Sequence, residues 1–205
     1  MAYATQPTLF DDTAVMPQVD DSAFDRATDH QLDEHSWITY LSGLVVGHQR
    51  LIEELVAVAT WEQRQRWMFN RMVDEPRLTA EYTDLAAAPA FLADLTASLS
   101  SNLAIPYDGI WINWYRDHHD GTGWYADRPA NNLETAVVPV LSLGAARRFL
   151  IRPVGGGKSV VFTPVGGDLL IMQGRCQRDW QHSVPKQKTP AGPRISLNFS
   201  SHTQS

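Results

Sequence analysis

Asp127 and His182 are a carboxylate and an imidazole, and Tyr125 stands two residues before the carboxylate. A non-haem iron(II) site takes two neutral imidazoles and one carboxylate on one face and leaves positions open for cosubstrate and oxygen. In an extended segment residues i and i+2 point the same way, so position 125 and Asp127 can reach one metal, and His182 can close the triad from a facing strand. Each residue also has a plainer reading. A histidine beside Trp180 can be a packed, hydrogen-bonded core residue, and an aspartate before Arg128-Pro129 can be a turn residue. A second set follows from alternation. Between Gly109 and Arg116, Trp111, Asn113 and Tyr115 share one face; between Arg194 and Ser200, Arg194, Ser196, Asn198 and Ser200 share one. An inward guanidinium without a partner is costly. A dicarboxylate held by Arg194 with Asn113 and Tyr115 would satisfy all three, through charged hydrogen bonds of about 1.5 to 3 kcal/mol each. A structural ion pair from Arg194 to Asp168 or Asp127 is the alternative.

Two other patterns carry less. Gly155-Gly156-Gly157-Lys158-Ser159 has Arg152 where a phosphate loop needs its first glycine, and the β-forming run Val160-Val161-Phe162-Thr163 follows, so it reads as a hairpin turn. Cys176 with His182 lacks a third orienting residue and reads as an inert small hydrophobe.

The elements that must position these residues change character near Pro106. Residues 1–22 mix Pro7 and Pro17 with Asp11, Asp12, Asp20 and Asp21 and predict a mobile acidic arm, leaving residues 23–205 as one domain. Residues 38–46 suit a strand and turn. Leu51, Ile52, Leu55 and Val58 predict a helix over 48–59, and Phe91, Leu95, Leu99 and Leu103 a second over 89–103. After residue 106 the period becomes two, with β-rich runs at 109–116, 136–143, 147–153, 158–163, 167–173, 178–184 and 194–200. Gly155-Gly156-Gly157 and Gly166-Gly167 supply hairpin turns. The fold class is mainly β with N-terminal α/β elements, a β-sandwich or jelly roll.

The 205 residues, 43% hydrophobic, suffice for one self-supporting core. One cysteine excludes an internal disulfide and, with no basic, apolar leader, fits a cytoplasmic protein; no run approaches the ~20 apolar residues of a membrane span. A monomer is expected. The net charge of −6 is uneven: residues 1–110 hold 6 Lys/Arg against 17 Asp/Glu, residues 111–205 hold 11 against 6. Arg147, Arg148, Arg152, Lys158, Arg175, Arg178, Lys186 and Lys188 in the basic half could meet phosphates, or form a solvated surface.

The text from Asn113-Trp114-Tyr115-Arg116 through Ser142-Leu143-Gly144, Gly167-Asp168-Leu169-Leu170 and Gln181-His182-Ser183-Val184-Pro185-Lys186 to Pro193-Arg194-Ile195-Ser196 resembles the AlkB-type iron(II)/2-oxoglutarate dioxygenases. The likeness covers residues 36–200, with Trp61, Arg66-Trp67-Met68-Phe69 and Pro76-Arg77-Leu78 ahead of the barrel. It implies a cupin-like double-stranded β-helix over 106–205 and a lid over 36–105 that covers a flipped base. It further implies Fe(II), 2-oxoglutarate and O2 as the reacting set, and oxidative removal of N-alkyl groups from DNA or RNA bases with release of an aldehyde, carbon dioxide and succinate. The family's H-x-D falls on Tyr125 and Asp127 and its third metal ligand on His182. The cosubstrate contacts fall on Asn113, Tyr115 and Arg194, with Ser196 on the same face. Trp67, Arg71, Arg77, Tyr82 and Arg148 are the candidates for substrate contact, the aromatics among them also suiting a core.

The chain departs from the family at three places. The closing R-x-N-x-T-F-R reads Arg194-Ile195-Ser196-Leu197-Asn198-Phe199-Ser200, which drops the second arginine, and Pro129 stands where several members carry an acid. Tyr125 replaces an imidazole with a phenol whose ordinary pKa is near ~10 and which binds iron well only as phenolate. His118-His119-Asp120 spells a literal H-x-D, but in a polar turn. The expected protein is a nucleic-acid demethylase impaired by Tyr125. Two alternatives remain: a noncatalytic nucleic-acid- or protein-binding module on the same fold, and a dioxygenase for a protein side chain or small metabolite.

Overall fold

Alternation on the strands after Pro106 becomes two packed faces. The structure is a computed structural model that describes residues 15–68, 70–128 and 130–201. Its larger sheet has the order β2-β3-β12-β9-β14-β8-β7, built from β2 (Thr28–Gln31), β3 (Ser36–Leu41), β12 (Leu169–Gly174), β9 (Ala136–Gly144), β14 (Arg194–Ser200), β8 (Gly109–Tyr115) and β7 (Leu78–Tyr82). A smaller sheet, β11-β10-β13, comprises β11 (Val160–Phe162), β10 (Phe149–Pro153) and β13 (Trp180–Ser183). Between the sheets lie Ile38, Val138, Val140, Phe149, Ile151, Leu170, Met172 and Tyr115. The other face of the large sheet carries Ile110, Ile112, Leu141, Leu143, Ile195 and Leu197, packed with Leu51, Leu55, Leu92, Leu95 and Leu99. Those leucines come from helices α1 (His48–Val58) and α2 (Ala90–Leu103). The result is a jelly roll with helices on one side, and residues 194–200 alternate across it as the sequence requires.

Glycine is required at two joints. Gly47 precedes α1 at φ 67°, where a Cβ would lie 2.6 Å from the Val15 carbonyl oxygen. Gly144 ends β9 at φ 82°, where a Cβ would meet Ile52 and the Pro193 carbonyl oxygen at 2.5 Å each. Only glycine reaches such φ without strain, and the second joint fixes the approach of β14 beside β9.

Several expectations are corrected. Of the arm expected over residues 1–22, residues 1–14 lie outside the described residues. From Gln18 the chain is part of the fold: β1 (Gln18–Val19) pairs with β4 (Val45–Val46), and a 3-10 turn spans Asp21–Arg26, with Ala23 fully buried. β5 (Gln65–Met68) and β6 (Arg71–Asp74) pair as a separate hairpin that the sequence did not mark. Cys176–Asp179 is a short helical turn, α3, that takes the first two residues of the run read as a strand over 178–184. Gly166-Gly167 does not close a hairpin; it carries the chain from β11 in one sheet to β12 in the other. Of the basic residues offered to phosphate, Arg147 is 1% exposed and Arg175 and Arg178 are ion-paired with Asp179 and Glu134.

Arg147 instead organises the loop after β8. Its guanidinium donates to the carbonyl oxygens of Asp117 (2.8 Å), Asp120 (2.7 Å) and Pro185 (2.9 Å). Arg147→Met removes three hydrogen bonds and should lower unfolding free energy by about 3 kcal/mol, read by urea denaturation; an unchanged midpoint would refute that role. Burial pushes the Cys176 thiol up to about 12. Thiol reagents at neutral pH should therefore label the native chain only as fast as it opens, and labelling as fast as a free peptide thiol would contradict the packing.

Candidate active site

His182 and Asp127 approach each other from different segments. Tyr125 and His182 form an isolated antiparallel bridge, the Tyr125 N–H donating to the His182 carbonyl (3.1 Å) and the His182 N–H to the Tyr125 carbonyl (2.8 Å). This bridge lays residues 125–127 across β13. It leaves His182 Nε2 3.6 Å from Asp127 Oδ2. The histidine is 2% exposed, its Nε2 has no hydrogen-bond partner, and Phe149 stacks on it at 5.3 Å. Burial lowers the imidazole pKa, against the pull of Asp127, so the ring is neutral and its nitrogen can donate to a cation. Gln177, missed in the sequence, fixes Asp127 twice: its Oε1 accepts the Asp127 N–H (2.8 Å) and its Nε2 donates to Oδ2 (3.0 Å). No spacing pattern links residues 127 and 177; only the fold brings α3 to them.

A second cluster lies on the central strands of the large sheet. Arg194 is 1% exposed; one of its nitrogens donates to Ser142 Oγ (2.9 Å), while Nε and Nη1 have no partner. Neither Asp168 nor Asp127 pairs with it. Asp168 accepts from Tyr40 and from the N–H groups of Gly43 and Val165. Tyr115 places its ring 5.3 Å from the Arg194 guanidinium. Asn113 Oδ1 accepts from Arg77 Nε (2.9 Å) and Trp111 Nε1 (3.1 Å), and Asn113 Nδ2 donates to Ser196 Oγ (3.3 Å). These bonds orient the amide. A buried guanidinium with two unused donors, beside an oriented amide and a phenol, is a seat for an anion.

These features fit a ferrous ion at Asp127 and His182, and a dicarboxylate at Arg194, better than they fit Tyr125 as a ligand. Burial raises the Tyr125 phenol well above its ordinary value; Asp127 and Tyr115 push the same way, and Arg77 and Arg194 oppose. A neutral phenol is a poor substitute for an imidazole. His118-His119-Asp120 does not replace it. Asp120 is buried and accepts from the Arg116 guanidinium at 2.7 Å, while Asp117, His118 and His119 bring donor atoms within 4.8 Å of one another on the loop.

A cavity of about 330 Å³ opens at Tyr125 and Asp127, lined also by Arg77, Glu81, Trp111, Arg128 and Asn198. Of the substrate candidates only Arg77 lines it, and its guanidinium also holds Asn113 and pairs with Glu75 (2.9 Å). Trp67, 66% exposed, and Arg71 stand on the β5–β6 hairpin. Tyr82 packs against the helical side of the large sheet, because its neighbour Glu81 takes the cavity side, and Arg148 is exposed and does not line the cavity.

Residues 46–199 match the 2OG-Fe(II) oxygenase superfamily. The chain is 31% identical over 170 residues to the alpha-ketoglutarate-dependent dioxygenase alkB homolog 3 of Mus musculus, covering 73% of this chain and 59% of that protein. It is 32% identical over 101 residues to DNA oxidative demethylase ALKBH2 of Homo sapiens, covering 45% and 39%. It thus spans less than two thirds of the length of these relatives. Among solved structures it is similar in fold to OsALKBH1 (TM-score 0.59, 15% identity, 85% of this chain and 100% of that one). It is likewise similar to a prolyl hydroxylase from Trichoplax adhaerens (TM-score 0.58, 14% identity, 82% and 84%). A superfamily that uses Fe(II), 2-oxoglutarate and O2 is matched over residues that hold both clusters and most strands of the jelly roll, and the chain belongs to that 2OG-Fe(II) oxygenase superfamily as an AlkB-type member.

Proposed function

We propose that this chain is an iron(II)- and 2-oxoglutarate-dependent dioxygenase of alkylated nucleic-acid bases, with turnover depressed by Tyr125. The observation that carries the reading is Arg194, buried with two unused donors on the sheet beneath the Asp127–His182 pair. Asp127 and His182 would hold iron(II), which would supply the coupling of O2 reduction to oxidative decarboxylation of 2-oxoglutarate to succinate and carbon dioxide, with one N-alkyl carbon released as aldehyde. Arg194 neutralises a carboxylate of the cosubstrate, and Asn113, oriented by Arg77 and Trp111, presents its remaining N–H to it. Gln177 keeps the Asp127 carboxylate turned toward His182.

The nucleic-acid part rests on the names of the relatives and on the surface around the cavity. An extruded base is what such a recess can take. The exposed Trp67, with Arg66 and Arg71, stands on a hairpin whose base reaches Arg77, and Arg64 lies 4.2 Å over the Trp111 ring. Aromatic faces and guanidinium groups together bind single strands through stacking and phosphate contact. One observation favours a noncatalytic module instead: the neutral phenol at position 125.

Anaerobic Fe(II) titration with 2-oxoglutarate separates the two. Tyr125→His should bind iron at least about 10-fold more tightly than the chain as it stands and form succinate once oxygen is admitted; equal weak binding and no succinate from either protein discards the enzyme. Capture of alkylated single-stranded DNA and RNA should weaken about 10-fold between about 50 and 200 mM salt, as two or three phosphate contacts require. Retention that ignores salt, or no retention, removes nucleic acid as the substrate class.

A further inference from the structure

The cavity at the seat ends on Tyr125. Its wall includes Tyr125, Ala126 and Asp127, but not Arg194, Asn113, Tyr115 or His182, which are 1%, 1%, 1% and 2% exposed. The groups that would grip a dicarboxylate are therefore sealed from the open space, and Tyr125 stands at the boundary. Its ring centroid is 4.2 Å from that of His182. At its other end the phenol interacts electrostatically with both Tyr115 and Arg194. The ring thus stands against the metal seat, with the guanidinium within electrostatic range.

We propose that the Tyr125 ring is an internal plug, filling the space in which a dicarboxylate would lie between Arg194 and the Asp127–His182 pair, so that cosubstrate enters only when the ring swings out. This rests on the cosubstrate pocket of the function proposed above. The backbone of residue 125 is tied to His182 by two hydrogen bonds, so opening is a side-chain rotation and needs no loop to unfold. The plug is also displaceable. A neutral phenol leaves Nε and Nη1 of Arg194 unpartnered, whereas a carboxylate would satisfy both, and a ligand that binds only the open state has its affinity reduced to the fraction of chains already open. The replacement of His by Tyr therefore has two separable effects: it removes a nitrogen donor and it occupies a site.

Metal-free binding of 2-oxoglutarate by calorimetry distinguishes them, using the full chain, Tyr125→Phe, Tyr125→Ala and Tyr125→Ser, each with an intact cooperative melt. Phenylalanine keeps the ring and should bind as weakly as the chain as it stands. Alanine and serine restore no metal ligand, yet should bind about 10-fold or more tightly, the gain that corresponds to an open state populated about one-tenth of the time or less. Adding Arg194→Met to Tyr125→Ala should abolish that gain. The plug is overturned if alanine and serine bind no more tightly than tyrosine while Tyr125→His with Fe(II) does bind 2-oxoglutarate. If no variant binds, including Tyr125→His with iron, the cosubstrate pocket itself is wrong and the plug falls with it.

Discussion

A guanidinium that folding has taken out of water, without a full set of acceptors, is the constraint around which the barrel is built. Desolvating such a charge costs several kcal/mol, and one hydroxyl acceptor does not recover it. The sheet tolerates Arg194 because its position is forced. β14 is central, paired with Tyr115 on one side and Gly144 on the other, and a slip of one residue would turn Arg194 into the leucine layer and Ile195 into the polar interior. Burial of Ile195, Leu197 and Phe199 against the helices thus holds a charge in a place it would otherwise leave. On the proposed role, stability surrendered there would be returned as affinity for an anion.

The proposed metal seat is built by the opposite route, from an imidazole, a carboxylate and an amide on loosely connected segments. His182 belongs to the small sheet, Asp127 to a loop and Gln177 to a helical turn, and what joins them is a two-bond bridge and an amide that reads both the Asp127 N–H and its carboxylate. Removing the glutamine would leave the carboxylate geometry to solvent. Such outer contacts typically matter about 10 to 100-fold at metal sites.

Period-two alternation made the Arg194 and Asn113–Tyr115 faces legible in sequence, because a strand has only two sides and one was plainly apolar. Helical spacing gave α1 and α2 within a residue or two, for the same reason. Other features had no local signature. Gln65–Met68 and Arg71–Asp74 pair with each other outside either main sheet, so no buried face imposes a pattern on them. Arg147 and Arg148 are chemically identical neighbours, and which one turns inward depends on three carbonyls brought in from residues 117, 120 and 185. Tyr82 and Glu81 present the same ambiguity on an edge strand. Tyr125 was legible as a substitution, but its second effect was not, since the volume of a ring matters only once its surroundings are known.

Arg77 ties the two halves of the site together. A two-stranded hairpin is marginal alone, and β5–β6 is closed at its base by the Glu75 N–H on the Arg64 carbonyl (2.8 Å), Gln63 on the carbonyl oxygens of Glu75 and Arg77, and the Arg77–Glu75 ion pair. The same guanidinium holds the carbonyl of Asn113, whose amide N–H faces Ser196. The hairpin base and the Asn113 amide therefore share one side chain. Asn113 takes both Arg77 and Trp111 on one oxygen, so the orientation of the amide survives loss of one of them and is set by the pair together with Ser196. Arg77 thus belongs at once to the cavity wall and to the hydrogen-bond set of the proposed cosubstrate seat.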